Sequence, residues 1–128
     1  MRSMLWKVEE IAERRGLDAV VIVSPENVEY FTGVKSLADG VVLLFYDRRR
    51  RSTQVYTPLL DYYRYRDSLE ASGVEVYGLS KTLKPSDARV VDKDWAELVK
   101  DLAGGGKVGL DARFTSPLMG VVMRSLGE

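Results

Sequence analysis

Protein chemistry most often runs through histidine or cysteine, and this 128-residue chain has neither. Without an imidazole, no serine–histidine pair and no histidine-containing zinc site can be assembled from these residues. Without a thiol there is no disulfide, thiolate ligand or cysteine nucleophile, which fits a reducing compartment. Catalysis by this chain alone is therefore not expected, and neither is a cofactor or metal of its own.

Several other stretches carry groups that could bind something. Asp92, Asp94 and Asp111 offer carboxylates, yet hard cations need several oxygens converging on one point, and the spacing shows none. Asp92 is read as a helix N-cap and Asp111 as a strand end. The run Gly104-Gly105-Gly106-Lys107 precedes a strand, whereas a phosphate cradle sits between a strand and the helix that follows it. Arg48, Arg49, Arg50 and Arg51 cluster at an expected hairpin tip, where like charges also guard against edge pairing. Tyr62, Tyr63, Arg64, Tyr65 and Arg66 mix rings with guanidinium groups as single-strand binders do. On a helix, however, only Tyr62 with Tyr65 or Arg66, and Tyr63 with Arg66, share a face, which favours packing. These two basic stretches are the alternative reading, an independent nucleic-acid or anion-binding module.

The elements that would position such groups can be traced in order. Met4, Leu5, Val8, Ile11 and Ala12 recur at helical spacing until Gly16, which defines an amphipathic first helix. Residues 18–23 are almost wholly apolar and read as an interior strand. Ser24 then ends the strand as a capping hydroxyl, Pro25 opens a short helix, and Gly33 closes it. In that turn Val28 and Phe31 are expected to point inward, and Asn27 and Tyr30 to present polar groups at the rim. Residues 41–46 and 53–57 form a hairpin. Thr57-Pro58 repeats the cap-and-proline device before a helix to about residue 71, and Ser116-Pro117 repeats it again. A strand at 74–77, a polar connection over 78–89, a helix at 93–102 and a strand at 107–110 complete the pattern, with a last helix bearing Leu118, Val121, Val122 and Leu126. Alternating strands and helices around a hairpin indicate an α/β fold with a mixed, three-layer-like sheet and helices on its faces.

The stretch Ser24-Pro25-Glu26-Asn27-Val28-Glu29-Tyr30-Phe31-Thr32-Gly33 resembles the signature of the N-terminal domain of the creatinase/prolidase/aminopeptidase P family. The likeness extends to Arg15-Gly16-Leu17-Asp18-Ala19, the strand at 41–46 and Val108-Gly109-Leu110-Asp111. The resemblance implies a single creatinase/prolidase-type N-terminal domain over 1–128, with the catalytic metallopeptidase domain absent from this chain. It implies a parent Xaa-Pro dipeptidase, a hydrolase whose missing domain would hold divalent metals (Mn, Co or Zn) and act on short Xaa-Pro peptides. The domain's expected part is dimerisation, as a homodimer, and walling of the active site. The marked residues are Ser24, Pro25, Asn27, Tyr30 and Gly33, with residues 33–40, carrying Lys35 and Asp39, as the loop reaching the substrate cleft.

Composition agrees with one soluble domain. Nineteen basic and nineteen acidic residues cancel, so no overall field recruits nucleic acid or an anionic membrane. No apolar run approaches the roughly 20 residues that span a bilayer, and the charged first 15 residues do not read as a signal peptide. A cytoplasmic protein is expected. One asparagine, Asn27, and one glutamine, Gln54, among many arginines suggest a heat-adapted source.

Overall fold

In the computed structural model, residues 4–35, 42–102 and 106–110 are described. The elements are α1 (Leu5–Arg15), β1 (Ala19–Ile22), α2 (Pro25–Thr32), β2 (Leu43–Asp47), β3 (Ser52–Pro58), α3 (Leu59–Leu69), β4 (Glu75–Leu79), β5 (Val90–Val91), α4 (Trp95–Leu102) and β6 (Val108–Leu110). A 3₁₀ turn, Glu70–Ser72, extends α3 as far as Gly73. The six strands form one sheet in the order β5-β4-β3-β2-β1-β6.

Among the described strands, only the hairpin strand β2 runs against the others. It pairs antiparallel with β1 and β3, while β3–β4, β4–β5 and β1–β6 are parallel. Five strands therefore point the same way, and their carboxyl ends share one end of the sheet. The mixed sheet expected from the hairpin and the alternating helices is present.

Strand alternation sorts the core into two layers. Val20, Ile22, Leu44, Tyr46, Val55 and Val76 face one side, against Leu5, Val8 and Ala12 of α1, Val28 of α2, and Tyr62, Tyr65 and Leu69 of α3. Ala19, Val21, Leu43, Phe45 and Tyr56 face the other, against Leu98 and Val99 of α4. Each fully buried Val or Leu contributes roughly 1.5–3 kcal/mol, so both layers are held by side chains from elements far apart in sequence. Among the described residues no helix is long and apolar enough to cross a membrane.

Four local expectations shift. Ser24 is the N-cap of α2, but its hydroxyl makes no capping bond and donates instead to Glu26 Oε1 at 3.1 Å. Pro58 rather than Thr57 is the N-cap of α3, because β3 holds its pairing with β4 through Pro58 and Leu79, and Thr57 Oγ1 donates to the Pro58 carbonyl. Asp92 is not a cap. The N-terminus of α4 is closed by Asp94, whose Oδ1 accepts the Glu97 N–H at 2.8 Å, while Glu97 Oε1 accepts the Asp94 N–H at 2.9 Å. That reciprocal box satisfies two otherwise orphaned donors. The strand read at 74–77 runs on through Gly78 and Leu79 into the stretch read as connection, because both pair with Val90 and Val91, a two-residue edge strand just past that stretch.

Candidate functional site

The signature turn is built by β1 delivering the chain to an extended Ser24 at the carboxyl end of the sheet. Pro25 occupies the first helical turn, where a missing N–H costs nothing, and the Ser24 carbonyl accepts the Val28 N–H at 2.9 Å. Gly33 ends α2 at φ 74°, in the left-handed region that suits a residue without Cβ. Val28 is buried and Phe31 packs beside the first core layer. Asn27 is half-buried and engaged by its surroundings, and Tyr30 stays 49% exposed. Val28 and Phe31 thus face the core and Tyr30 the surface, as expected of them.

Thr32 does more than its place in the signature suggested. Its hydroxyl donates to the Val28 carbonyl at 2.7 Å and accepts the Val34 N–H at 3.1 Å, with Thr32 and Val34 both buried. The chain leaving α2 is thereby directed before it reaches Lys35, which is exposed. Asp39, the other residue of the expected cleft loop, lies outside the described residues, as do Asp111 and Ser116-Pro117. Val42, buried just before β2, marks where the chain rejoins the same end of the sheet.

That end gathers other features. The N-termini of α2 and α3 both open there, and α3 carries a fully buried carboxylate, Asp61, in its first turn, where the helix dipole favours negative charge. Asp61 is engaged within the structure. The exposed large apolar side chains among the described residues are Trp6 (55%), Tyr30, Leu60 (71%) and Leu83 (69%). Trp6 is in the first turn of α1, which antiparallel packing on β1 brings to this end. Leu60 follows the end of β3, and Leu83 donates its N–H to Ser80 Oγ just after β4.

At the opposite end, Asp18 joins three segments. Its Oδ2 accepts the Lys107 N–H at 2.8 Å, its own N–H donates to the Lys107 carbonyl at 2.7 Å, and Arg48 lies 3.6 Å from Oδ1. Arg48 also donates through Nε to the Leu17 carbonyl at 2.5 Å. The Lys107 N–H holds the Asp18 carboxyl below the ordinary carboxylate range, with help from the Arg49 and Arg48 charges. A Cβ on Gly106, at φ 102°, would meet Asp18 Oδ2 at 2.7 Å. The glycine-lysine turn thus spends its donor on an internal carboxylate and does not offer it to a phosphate.

The basic and aromatic stretches are absorbed into the fold in a similar way. Tyr62 and Tyr65 are buried, the Tyr62 hydroxyl accepts the Arg89 N–H at 3.0 Å, and Tyr63 donates to Asp87 at 2.7 Å. Arg66 stands 4.8 Å from the Tyr63 ring centroid and pairs with Asp67. Tyr62 and Tyr65 are closed off from solvent, and Tyr63 and Arg66 are engaged with each other and with Asp87 and Asp67, so packing accounts for this stretch.

An open cleft of about 390 Å³ lies between α4 and the hairpin, over Phe45 and the stacked rings of Tyr56 and Tyr77. Burial pushes the Tyr56 phenol far above its ordinary value, and it donates to Gln54 Oε1. The cleft's carboxylates are occupied internally. Asp47 accepts the Arg49 and Arg50 N–H groups, Glu75 accepts the Tyr77 hydroxyl, and Asp101 pairs with Lys93. No group of three potential metal ligands converges among the described residues. Together with the lack of histidine and cysteine, that arrangement does not fit a catalytic metal.

The sequence model of the creatinase/prolidase N-terminal domain matches residues 4–124. Comparison with curated proteins finds no match. Among solved structures, the prolidase from Pyrococcus horikoshii OT3 is similar at TM-score 0.65 and 20% identity, over 96% of this chain and 30% of that one. A proline dipeptidase from Streptococcus pneumoniae TIGR4 gives 0.66 at 17% identity, over 98% of this chain and 86% of that one. The N-terminal domain of the cytoplasmic peptidase PepQ from Mycobacterium tuberculosis H37Rv gives 0.63 at 19% identity, over 94% and 82%. At such identities the structural likeness establishes the fold, and this chain spans less than a third of the Pyrococcus enzyme. With the family match extending across nearly all of its length, the chain belongs to the creatinase/prolidase N-terminal domain family.

Proposed function

We propose that the chain is the non-catalytic N-terminal domain of a Xaa-Pro dipeptidase or aminopeptidase P-like metallopeptidase. Its contribution is dimerisation and walling of an active site that another domain supplies. The observation that carries this reading is the placement of the signature turn. The turn opens where β1 ends, at the carboxyl end of five codirectional strands, and Thr32 directs the chain that leaves it toward an exposed Lys35. In open α/β sheets that end is where ligands are met, because loops there are mounted on rigid strands. Exposed Trp6, Tyr30, Leu60 and Leu83 at the same end supply apolar area for a partner surface. Divalent metals and short Xaa-Pro peptides would belong to the supplying domain, and residues 1–128 constitute one domain.

The test is kinetic and uses the full-length parent protein. Replacing Lys35 and Asp39 by alanine is expected to change KM or length selectivity for Xaa-Pro peptides while leaving the metal content unaltered. Unchanged kinetics in both variants would remove the loop from the cleft. A parent that hydrolyses no Xaa-Pro bond would remove the reading itself.

A further inference from the structure

The two faces of the sheet are held unequally. Against the first face α3 alone buries Tyr62, Tyr65 and Leu69, and α1 and α2 pack beside it. Among the described residues the second face has a single helix, α4, of whose eight residues Leu98 and Val99 are buried and Trp95 and Leu102 partly so. Ordering eight residues costs free energy of the same size as two buried aliphatic side chains return, so α4 is held with little to spare. Upstream it is anchored by β5, whose two residues form the edge of the sheet.

Among the described residues, the polar tie from α4 to the rest of the fold runs through Glu97. Its Oε1, which accepts the Asp94 N–H in the helix cap, also lies 3.0 Å from the Lys81 ammonium just past β4. Both side chains are 52% exposed, so the pair shifts an equilibrium by at most about fivefold. The pair of Lys93 with Asp101 joins the two ends of one segment and adds nothing to that hold. Beneath the C-terminal end of α4, the cleft of about 390 Å³ adjoins a second of about 290 Å³, and Phe45, Asp47, Arg50, Asp101 and Leu102 wall both.

We infer that α4 is a lid, an element that opens and recloses on the sheet while the rest of the fold stays intact, with the Lys81–Glu97 pair as its latch. Opening withdraws the wall that Asp101 and Leu102 give to both cavities and uncovers Leu43, Phe45 and Tyr56 on the sheet beneath. Closure depends on ionic strength, because an exposed ion pair weakens as salt screens it. The lid is independent of the peptidase reading, since it is assayed on the 128-residue chain without turnover.

The chain has no cysteine, so one introduced thiol reports exposure without interference. Val99→Cys places it on the lid, Leu43→Cys on the sheet beneath and Val55→Cys on the first face, and each of these positions is 1% exposed or less. Without denaturant, an aromatic disulfide reagent is expected to label the first two at least about 100-fold faster than the third. Lys81→Met, or Glu97→Gln, which keeps the helix cap, should speed labelling in the Val99→Cys chain about two- to fivefold. Salt at about 1 M should do the same, and should add nothing once Lys81 is replaced. Should a cysteine variant misfold, amide exchange in the unaltered chain reads the same opening, with Leu98 and Val99 faster than Leu44 and Val55 by a similar factor. One common rate at all three thiols, that of global unfolding, would overturn the lid. Fast labelling in Val99→Cys alone would also overturn it, because α4 would then fray without uncovering the sheet. Labelling unchanged by both latch variants and by salt would overturn the latch.

Discussion

Asp18, Thr32 and Asp94 show how much of this structure rests on single polar groups that no hydrophobic pattern announces. Thr32 stands in the signature, but its tie to the Val34 N–H became visible only once the chain direction after α2 was known. Thr32→Val would leave that buried N–H without its partner and should cost about 1–3 kcal/mol in denaturant unfolding, whereas Thr32→Ser should cost much less. Asp94 and Asp92 differ by two residues, and local spacing alone suits either as a cap. The structure settles on Asp94 because Glu97 sits three positions on, and Asp92 is drawn away to Lys84 at 2.9 Å. Asp94→Ala should therefore cost about 1 kcal/mol, and Asp92→Ala almost nothing. Asp18 carries a pH signature. Its folded-state pKa lies below the ordinary value of 3.8, so its contribution is complete above that value and is lost as pH falls through the lower folded value. Acid titration of the thermal midpoint should show a shallower fall below about pH 4 in Asp18→Asn than in the parent chain. Identical acid slopes would deny the carboxylate that role.

The long amphipathic helices, the interior strand and the hairpin were legible at the scale of elements, because each has a clear period or an apolar run bounded by Gly, Pro or a basic turn. What escaped detection depended on neighbours. β5 has two residues, and only pairing with Gly78 and Leu79 distinguishes it from loop. α3 starts one residue late because the β3–β4 ladder continues through Pro58, so sheet pairing overrode a local cap-and-proline cue. The hydrogen bond that Lys7 donates to Tyr30 joins two helices across 23 positions and leaves no trace in spacing. The hairpin offers a test at this scale. Arg51 holds φ 51°, a left-handed conformation that an L side chain adopts at a cost. Arg51→Gly should stabilise the fold by about 0.5–1 kcal/mol, read as a rise in the denaturation midpoint with an unchanged slope. In the central strand, Leu44 is fully buried, and Leu44→Ala should destabilise by about 2–5 kcal/mol.

Taken whole, the molecule is a two-layered core around one sheet whose codirectional strand ends carry the signature turn, the exposed apolar side chains and the start of the expected cleft loop. The family was legible from ten consecutive residues, because a proline-opened, glycine-closed turn after a buried strand is both a physical device and a distinctive string. The proposed partner domain leaves no chemical trace here, since the chain has no imidazole and its described residues bring no carboxylates together of the kind that hold a metal-activated water. The most direct measurement is Xaa-Pro dipeptide hydrolysis by the purified 128-residue chain, with Mn, Co or Zn added, beside the full-length parent under the same conditions. The expected result is metal-dependent cleavage by the parent and none by the chain. Metal-dependent cleavage by the chain that survives repurification would contradict its assignment as a non-catalytic scaffold.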